Sequence, residues 1–244
     1  MTKHRPVIAE VVLLYTVCLF LSGCAGPLKQ QARTVRIAPI SEKYALAKRL
    51  EGKAYVLLAE ASTGQEQHRY AVSDSLTRAI KEYGTDSGVL PLLSLGDKSD
   101  KEGTSVRDLE VLSFSDFANK LNEKGISQRH AEMRDFYQNN GMFKKADLIF
   151  LGEEIGADYF ILPCLLDVRR WGTSRFSLLG LKVMNTQVIC VVVSMEIWDL
   201  GTGYKVFGAT SDMTIASETI MESPISIEEA FRQAWLGIAD QLLK

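Results

Sequence analysis

Apolar and polar positions in this chain follow two periods, and the switches between them outline its elements. Val35–Ile40 and Ala54–Ala61 are short apolar runs suited to strands, the second dense enough for a buried central strand. Ser41–Leu50, between them, fits a short helix. After the polar turn Ser62–Arg69, the residues Val72, Leu76, Ala79, Ile80 and Tyr83 recur at three- and four-residue spacing, which predicts an amphipathic helix over Ala71–Tyr83 stopped by Gly84. Gly88–Leu95 fits a strand despite Pro91, and Gly96–Ser105 a solvated loop. Two or three helices follow, over Ser115–Lys124, Ser127–Gln138 and Phe143–Ile155, each running into Gly or Asn, which tolerate the left-handed cap. Tyr159–Val168 and Val188–Trp198 carry the strongest strand patterns, and Asp199–Gly203 turns the second into a third strand, Tyr204–Ile215. Ser226 and Glu229 form a capping box ahead of an apolar face of Ile227, Ala230, Ala234, Trp235, Ile238 and Leu242, so the chain closes with a helix on the sheet. This order predicts one α/β (α+β) domain over residues 34–244, a single mixed sheet with flanking helices.

The amino-terminal pattern is of another kind. Lys3, His4 and Arg5 precede Val11–Leu21, a hydrophobic run interrupted in polarity only by Thr16, and the run ends at Leu21-Ser22-Gly23-Cys24. Basic, apolar and small-residue segments in that order make a secretory signal over residues 1–23. The apolar run is shorter than the roughly 18–20 residues of a transmembrane helix, and Glu10 would sit badly in a longer one. The four residues resemble the lipobox of bacterial lipoproteins. That resemblance implies cleavage after Gly23, diacylglycerol on the Cys24 thiol and an acyl chain on the new amino terminus. With Ala25 rather than Asp after the cysteine, it further implies the periplasmic face of the outer membrane. Each buried methylene contributes about 0.8 kcal/mol, so two or three chains anchor a protein in effect permanently. Residues 24–33, with Gly26, Pro27 and several polar side chains, read as a lipidated tether.

Composition narrows the function. The chain has 28 basic and 30 acidic side chains, and removing Lys3, Arg5 and Glu10 leaves 26 and 29, a net of minus three with no basic stripe to recommend nucleic acid. Of the four cysteines, Cys18 leaves with the signal and Cys24 takes lipid, which leaves Cys164 and Cys190. In an oxidising compartment they are a candidate disulfide, set against the alternative of two free core thiols. Pairing of the two long strands about a turn near Ser177 would bring them opposite one another.

No pattern of catalysis emerges. His68 and His130 are not spaced as metal ligands, and no HExxH, CxxC, acidic calcium loop, GxSxG or SxxK occurs. Gly201-Thr202-Gly203 lacks the third glycine and the strand-to-helix setting of a dinucleotide site and suits a hairpin turn. Glu153-Glu154 and Glu228-Glu229 sit at helix ends, where the second pair complements the macrodipole. Arg169, Arg170 and Trp171 are the candidate partner-binding residues, an aromatic beside two guanidiniums at an expected strand end. These readings call for no metal, no cofactor beyond the covalent lipid, no small-molecule substrate and no enzymatic activity.

Leu151-Gly-Glu-Glu-Ile-Gly-Ala-Asp-Tyr-Phe-Ile-Leu-Pro163, followed by a meander with Ser194-Met-Glu-Ile-Trp-Asp-Leu-Gly-Thr-Gly-Tyr204, resembles the curli-secretion lipoprotein CsgG and its relatives. The periplasmic domain of that family is similar to the amino-terminal domain of TolB and to lipoprotein activators of penicillin-binding proteins. The resemblance implies a CsgG/TolB-like sheet domain and, as an alternative to a binding or scaffolding lipoprotein with an envelope-protein partner, a subunit or accessory of a CsgG-like secretion assembly. CsgG subunits each contribute two membrane-spanning hairpins, and a spanning strand takes about 9–11 residues. Arg169–Gln187 is barely long enough to hold two such strands and a turn. Asp212–Pro224 is too short and carries Asp212, Glu218 and Glu222. A pore is therefore disfavoured, and an interfacial loop remains open because Phe176, Leu178, Leu179, Leu181 and Val183 are apolar with Arg175 and Lys182 beside them. The other reading of those apolar residues is internal packing.

Overall fold

The computed structural model describes residues 28–38, 50–86, 109–178, 181–219 and 226–242. The signal, Gly23 and Cys24, the expected helix at Ser41–Leu50 apart from its last residue, the expected strand Gly88–Leu95 and the loop Gly96–Ser105 lie outside those residues. The described strands are β1 (Leu28–Ile37), β2 (Gly52–Val56), β3 (Glu60–Ala61), β4 (Leu109–Leu112), β5 (Tyr159–Leu178), β6 (Leu181–Asp199) and β7 (Tyr204–Thr219). The α-helices are α1 (Arg69–Asp86), α2 (Phe114–Lys124), α3 (Ser127–Asn140), α4 (Lys145–Ile155) and α5 (Ile227–Leu242).

The strands form one mixed sheet in the order β1-β7-β6-β5-β2-β4, with β3 beside β5. The pairs β5–β6, β6–β7 and β1–β7 are antiparallel, whereas β2 runs parallel to β4 and β5. Alternation along each strand divides the core into two layers. Ala54, Val56, Ile161, Ile189, Val191 and Val193 meet Val72, Leu76, Phe231 and Trp235 of α1 and α5. Tyr55, Leu57, Phe160, Leu162 and Trp198 turn the other way, onto Phe117 of α2, Met133 of α3 and Leu148 and Leu151 of α4. A sheet covered on both sides needs central strands that are apolar at successive positions, which is why β2 and β5 show no clean alternation.

Three of the expected helix stops hold, whereas Gly84 does not end its helix, because α1 continues through it to Asp86. Gly125, Gly141 and Gly156 take left-handed conformations as the C-caps of α2, α3 and α4. Ser226 Oγ accepts the Glu229 N–H at 3.1 Å, the first half of the expected capping box. A second capping box starts α2, where Ser113 and Asp116 each accept the other's backbone N–H. At the far turn Thr202 N–H donates to Asp199 Oδ1 at 2.8 Å, so Gly201-Thr202-Gly203 is a hairpin turn.

The structure departs from the sequence reading in five further places. The strand expected over Ala54–Ala61 is two strands, β2 and β3. At the break, Ser73 Oγ accepts the Ala59 N–H at 2.8 Å and Arg69 Nε donates to the Ala59 carbonyl at 2.6 Å, so α1 takes over backbone groups a sheet partner would have used. β4, unforeseen, is a four-residue strand at one edge. β1 begins at Leu28, so Leu28–Arg33 of the expected tether is paired with β7. β5 and β6 continue through the segment read as their connection and close at Leu178 opposite Leu181. Likewise Asp212–Thr219, read as a candidate insertion, is a strand paired with both β1 and β6.

Trp235 anchors the α1–α5 layer, fully buried with its indole N–H donating to Ser75 Oγ at 3.1 Å. Trp235→Ala should lower unfolding stability by about 3–5 kcal/mol, the range for losing a large buried aromatic. Urea or guanidinium titration of the mature chain checks this.

Candidate functional site

The side chains singled out in the sequence do not form one site. Beyond a β-bulge at Leu166, Arg169 lies opposite Cys190 and Trp171 opposite Val188, both on the α2–α4 side of the sheet, while Arg170 lies opposite Ile189 on the other side. Arg169 Nε pairs with Asp167 at 2.7 Å, and Arg170 donates to Gln187 Oε1 at 3.3 Å. Trp171 is 49 % exposed. Arg169 and Trp171 therefore share a surface and Arg170 does not, because a strand sends successive residues to opposite faces.

That surface lies beyond the helices. α5 packs on β6, β7 and β1 from one side. On the opposite side Gln30, Ala32, Thr34 and Arg36 of β1 and Asp212 of β7 are exposed. Within the described sheet, β1 also has only β7 as a neighbour, which leaves its outer edge unpaired among the described residues.

The disulfide is not formed: both cysteines are free. Cys164 faces Ser194, and Cys190 lies four residues further along β6, opposite Arg169. Four residues of strand are roughly 13 Å, far outside disulfide reach. The cause is the turn, which closes between Leu178 and Leu181 instead of near Ser177, so every opposing pair is displaced. Burial pushes the Cys164 thiol above its ordinary pKa, against a hydrogen bond with Ser194 that lowers it. Mass spectrometry of the mature protein, denatured but not reduced, should find two alkylatable thiols.

Two carboxylates that the sequence did not reveal brace α3 to the sheet. Glu60 receives Arg134 through Nε at 3.1 Å and through the guanidinium's end, and Gln138 at 3.0 Å. Arg69 approaches the same carboxylate at 3.8 Å. Burial and the Arg134 charge depress the Arg69 pKa. Glu196 accepts Tyr137 Oη, Trp198 Nε1 and Lys205 Nζ, each at 3.0 Å. Burial and then the Glu196 charge hold the Tyr137 phenol far above its usual range. No spacing rule announces these pairs, since Glu60 and Arg134 are 74 positions apart.

Beside Arg69 and Arg134 a groove of about 370 Å³ opens between α2 and α3, lined also by Phe114, Leu121, Ser127 and His130. His130 is 8 % exposed, stands edge-on to Phe117 at 4.9 Å, and its Nε2 has no hydrogen-bond partner among the described residues. His68 lies against Phe231, in the other layer, so the two histidines are on opposite sides of the sheet. Among the described residues no group of three or more His, Cys, Asp or Glu could hold a metal ion.

No protein-family model matches the chain, and no curated protein matches it. Solved structures do overlap it. PelC from Paraburkholderia phytofirmans, a dodecamer, is 12 % identical and overlaps 87 % of this chain and 98 % of its own at a TM-score of 0.43. A single-site variant of that dodecamer gives 12 % identity over 87 % and 99 % at a TM-score of 0.42. Lipoprotein GNA1162 from Neisseria meningitidis is 10 % identical over 78 % of this chain and 96 % of its own at a TM-score of 0.31. The likeness to CsgG and to TolB is carried by the sequence motifs alone.

Burial, then the Arg134 charge, lowers the His130 pKa from 6.5 to about 4. The unfolded chain therefore takes up this proton near 6.5 while the folded one refuses it until about pH 4, so stability is complete above pH 6.5 and is lost as the pH falls through that window. At full effect the loss is about 3 kcal/mol. Denaturant titrations at pH 7 and near pH 4 should show a larger drop for the wild type than for His130→Phe.

Proposed function

We propose that this chain is a lipid-anchored protein of the bacterial outer membrane, held at the periplasmic face, where its domain binds or scaffolds an envelope protein and catalyses no reaction. The observation that carries the reading is the hydrophobic run ending at Leu21-Ser22-Gly23-Cys24 behind a basic amino terminus. The described fold supports it: the first strand starts at Leu28, so Ala25, Gly26 and Pro27 separate a lipidated Cys24 from the sheet. Fully extended, that span reaches at most roughly 14 Å. The domain would thus sit against the membrane rather than swing from it.

A protein partner suits what the sheet leaves uncovered. Unpaired among the described residues, the outer edge of β1 offers backbone donors and acceptors over ten residues, and Lys29, Arg33 and Arg36 give that strand a basic character with no acidic side chain. No helix of the described residues is long and apolar enough to cross a membrane.

Labelling with a radioactive or clickable fatty acid tests the anchor. Cys24→Ser should abolish acylation and leave the signal uncleaved. Unchanged labelling of that variant would refute the assignment.

A further inference from the structure

The sheet has two unlike ends, and its register sets one of them beside the lipid. Leu28 of β1 is opposite Glu218 of β7, Glu218 is opposite Thr186 of β6, and Thr186 is opposite Thr173 of β5. These four residues form a single row across the sheet. Past the row β1 gives way to the short span leading back to Cys24. In the same direction β5 and β6 run on as a paired hairpin to Leu178 and Leu181. The anchor and the hairpin therefore leave the sheet together.

We infer that the β5–β6 hairpin beyond Thr173 and Thr186 is a second, non-covalent membrane contact, entering the headgroup and shallow acyl region of the leaflet that holds the Cys24 lipid. The inference rests on the lipid-anchor reading above and adds to it an orientation. Its first support is composition: the last rungs are Phe176 with Met184, Ser177 with Lys182 and Leu178 with Leu181, and Arg175 also falls there. Apolar side chains with basic neighbours suit an interface of acyl chains and anionic phosphates. A second support is independent of the tip. Trp171, exposed two residues before the row, shares its face with Arg169, and Arg170 lies between them on the opposite face. Trp at the boundary of an apolar segment is the common anchor at headgroup depth, and guanidiniums there meet phosphate.

Length separates this contact from a span. Thr173 to Leu178 advances about 17 Å even if untilted, against a hydrocarbon core of about 30 Å. Each arm has five residues past the row, whereas a spanning strand takes about 9–11. The hairpin dips into one leaflet and stops.

The test uses the full lipidated protein in phosphatidylethanolamine–phosphatidylglycerol vesicles containing lipids brominated near the headgroup, with flotation run alongside. Phe176→Trp adds a tryptophan at the tip, whose emission over the wild type should be blue-shifted and lose about half its intensity to the bromines, as for an aromatic at interfacial depth. Wild-type protein needs no variant: its bromine-sensitive emission should come from Trp171 and vanish in Trp171→Phe, because Trp198 and Trp235 are buried in the core. Protein that floats with its lipid while both emissions stay solvent-like and unquenched overturns the hairpin contact and leaves the anchor standing. Protein that neither floats nor quenches overturns both. Steady unitary conductance in planar bilayers overturns the shallow depth.

Discussion

The antiparallel ladder running from β5 through β6 to β7 is the constraint on which the rest of the molecule depends. Once Tyr159 stands opposite Asp199 and Asp199 opposite Tyr204, the later rungs follow, apart from the shifts at the bulges. Because side chains alternate, a slip of one residue would send Ile189, Val191, Val193, Met195 and Ile197 away from α5. Burial on both faces penalises such a slip, so the register is fixed by the core as much as by backbone hydrogen bonds. β1 and β2 then attach to the outer members of this meander, one antiparallel and one parallel.

The two helical layers are secured differently. The α1–α5 layer is almost wholly apolar, and within it Ser75 accepts from Trp235 and donates to the Val72 carbonyl. In the α2–α4 layer, Glu60 and Glu196 each gather several donors, which matches the cost of burying a carboxylate without them. Among the described residues His130 has no such partner at Nε2, and burial against Phe117, then the Arg134 charge, lowers its pKa. Close packing adds a steric constraint. A side chain at Gly152 would place its Cβ 2.7 Å from that of Leu200, so α4 can approach the β6–β7 turn only with glycine there.

The ends of the sheet differ in charge as well as in shape. The end away from the hairpin carries Glu153, Asp158 and Asp199 around a cavity of about 410 Å³. The hairpin end carries Arg169, Arg170, Arg175 and Lys182 along β5 and β6. Such a polarity would favour one orientation of the proposed lipid-anchored domain beside an anionic surface, since like charge is repelled.

The sequence by itself determined the elements whose signal is local. Helix stops at Gly125, Gly141 and Gly156, the Asp199–Gly203 turn, the apolar face of α5 and the mixed-sheet α/β class all follow from periodicity and from residues that tolerate particular backbone conformations. The resemblance of Leu21-Ser22-Gly23-Cys24 to a lipobox is equally local, being carried by adjacent residues. What only the tertiary structure decided is pairing at a distance. Arg169 to Ser174 looked like a strand end because it is polar, yet β6 keeps it in the ladder, and that continuation moved the turn and parted Cys164 from Cys190. Arg169 and Trp171 came to one face and Arg170 to the other for the same reason, a period of two in a strand whose extent was not visible. Glu60 found Arg134, and Leu28 came into line with Thr173, through contacts whose partners lie far along the chain. A local pattern states which conformation a residue prefers, but a register is a choice among alternative pairings, and only the simultaneous burial of both faces selects one.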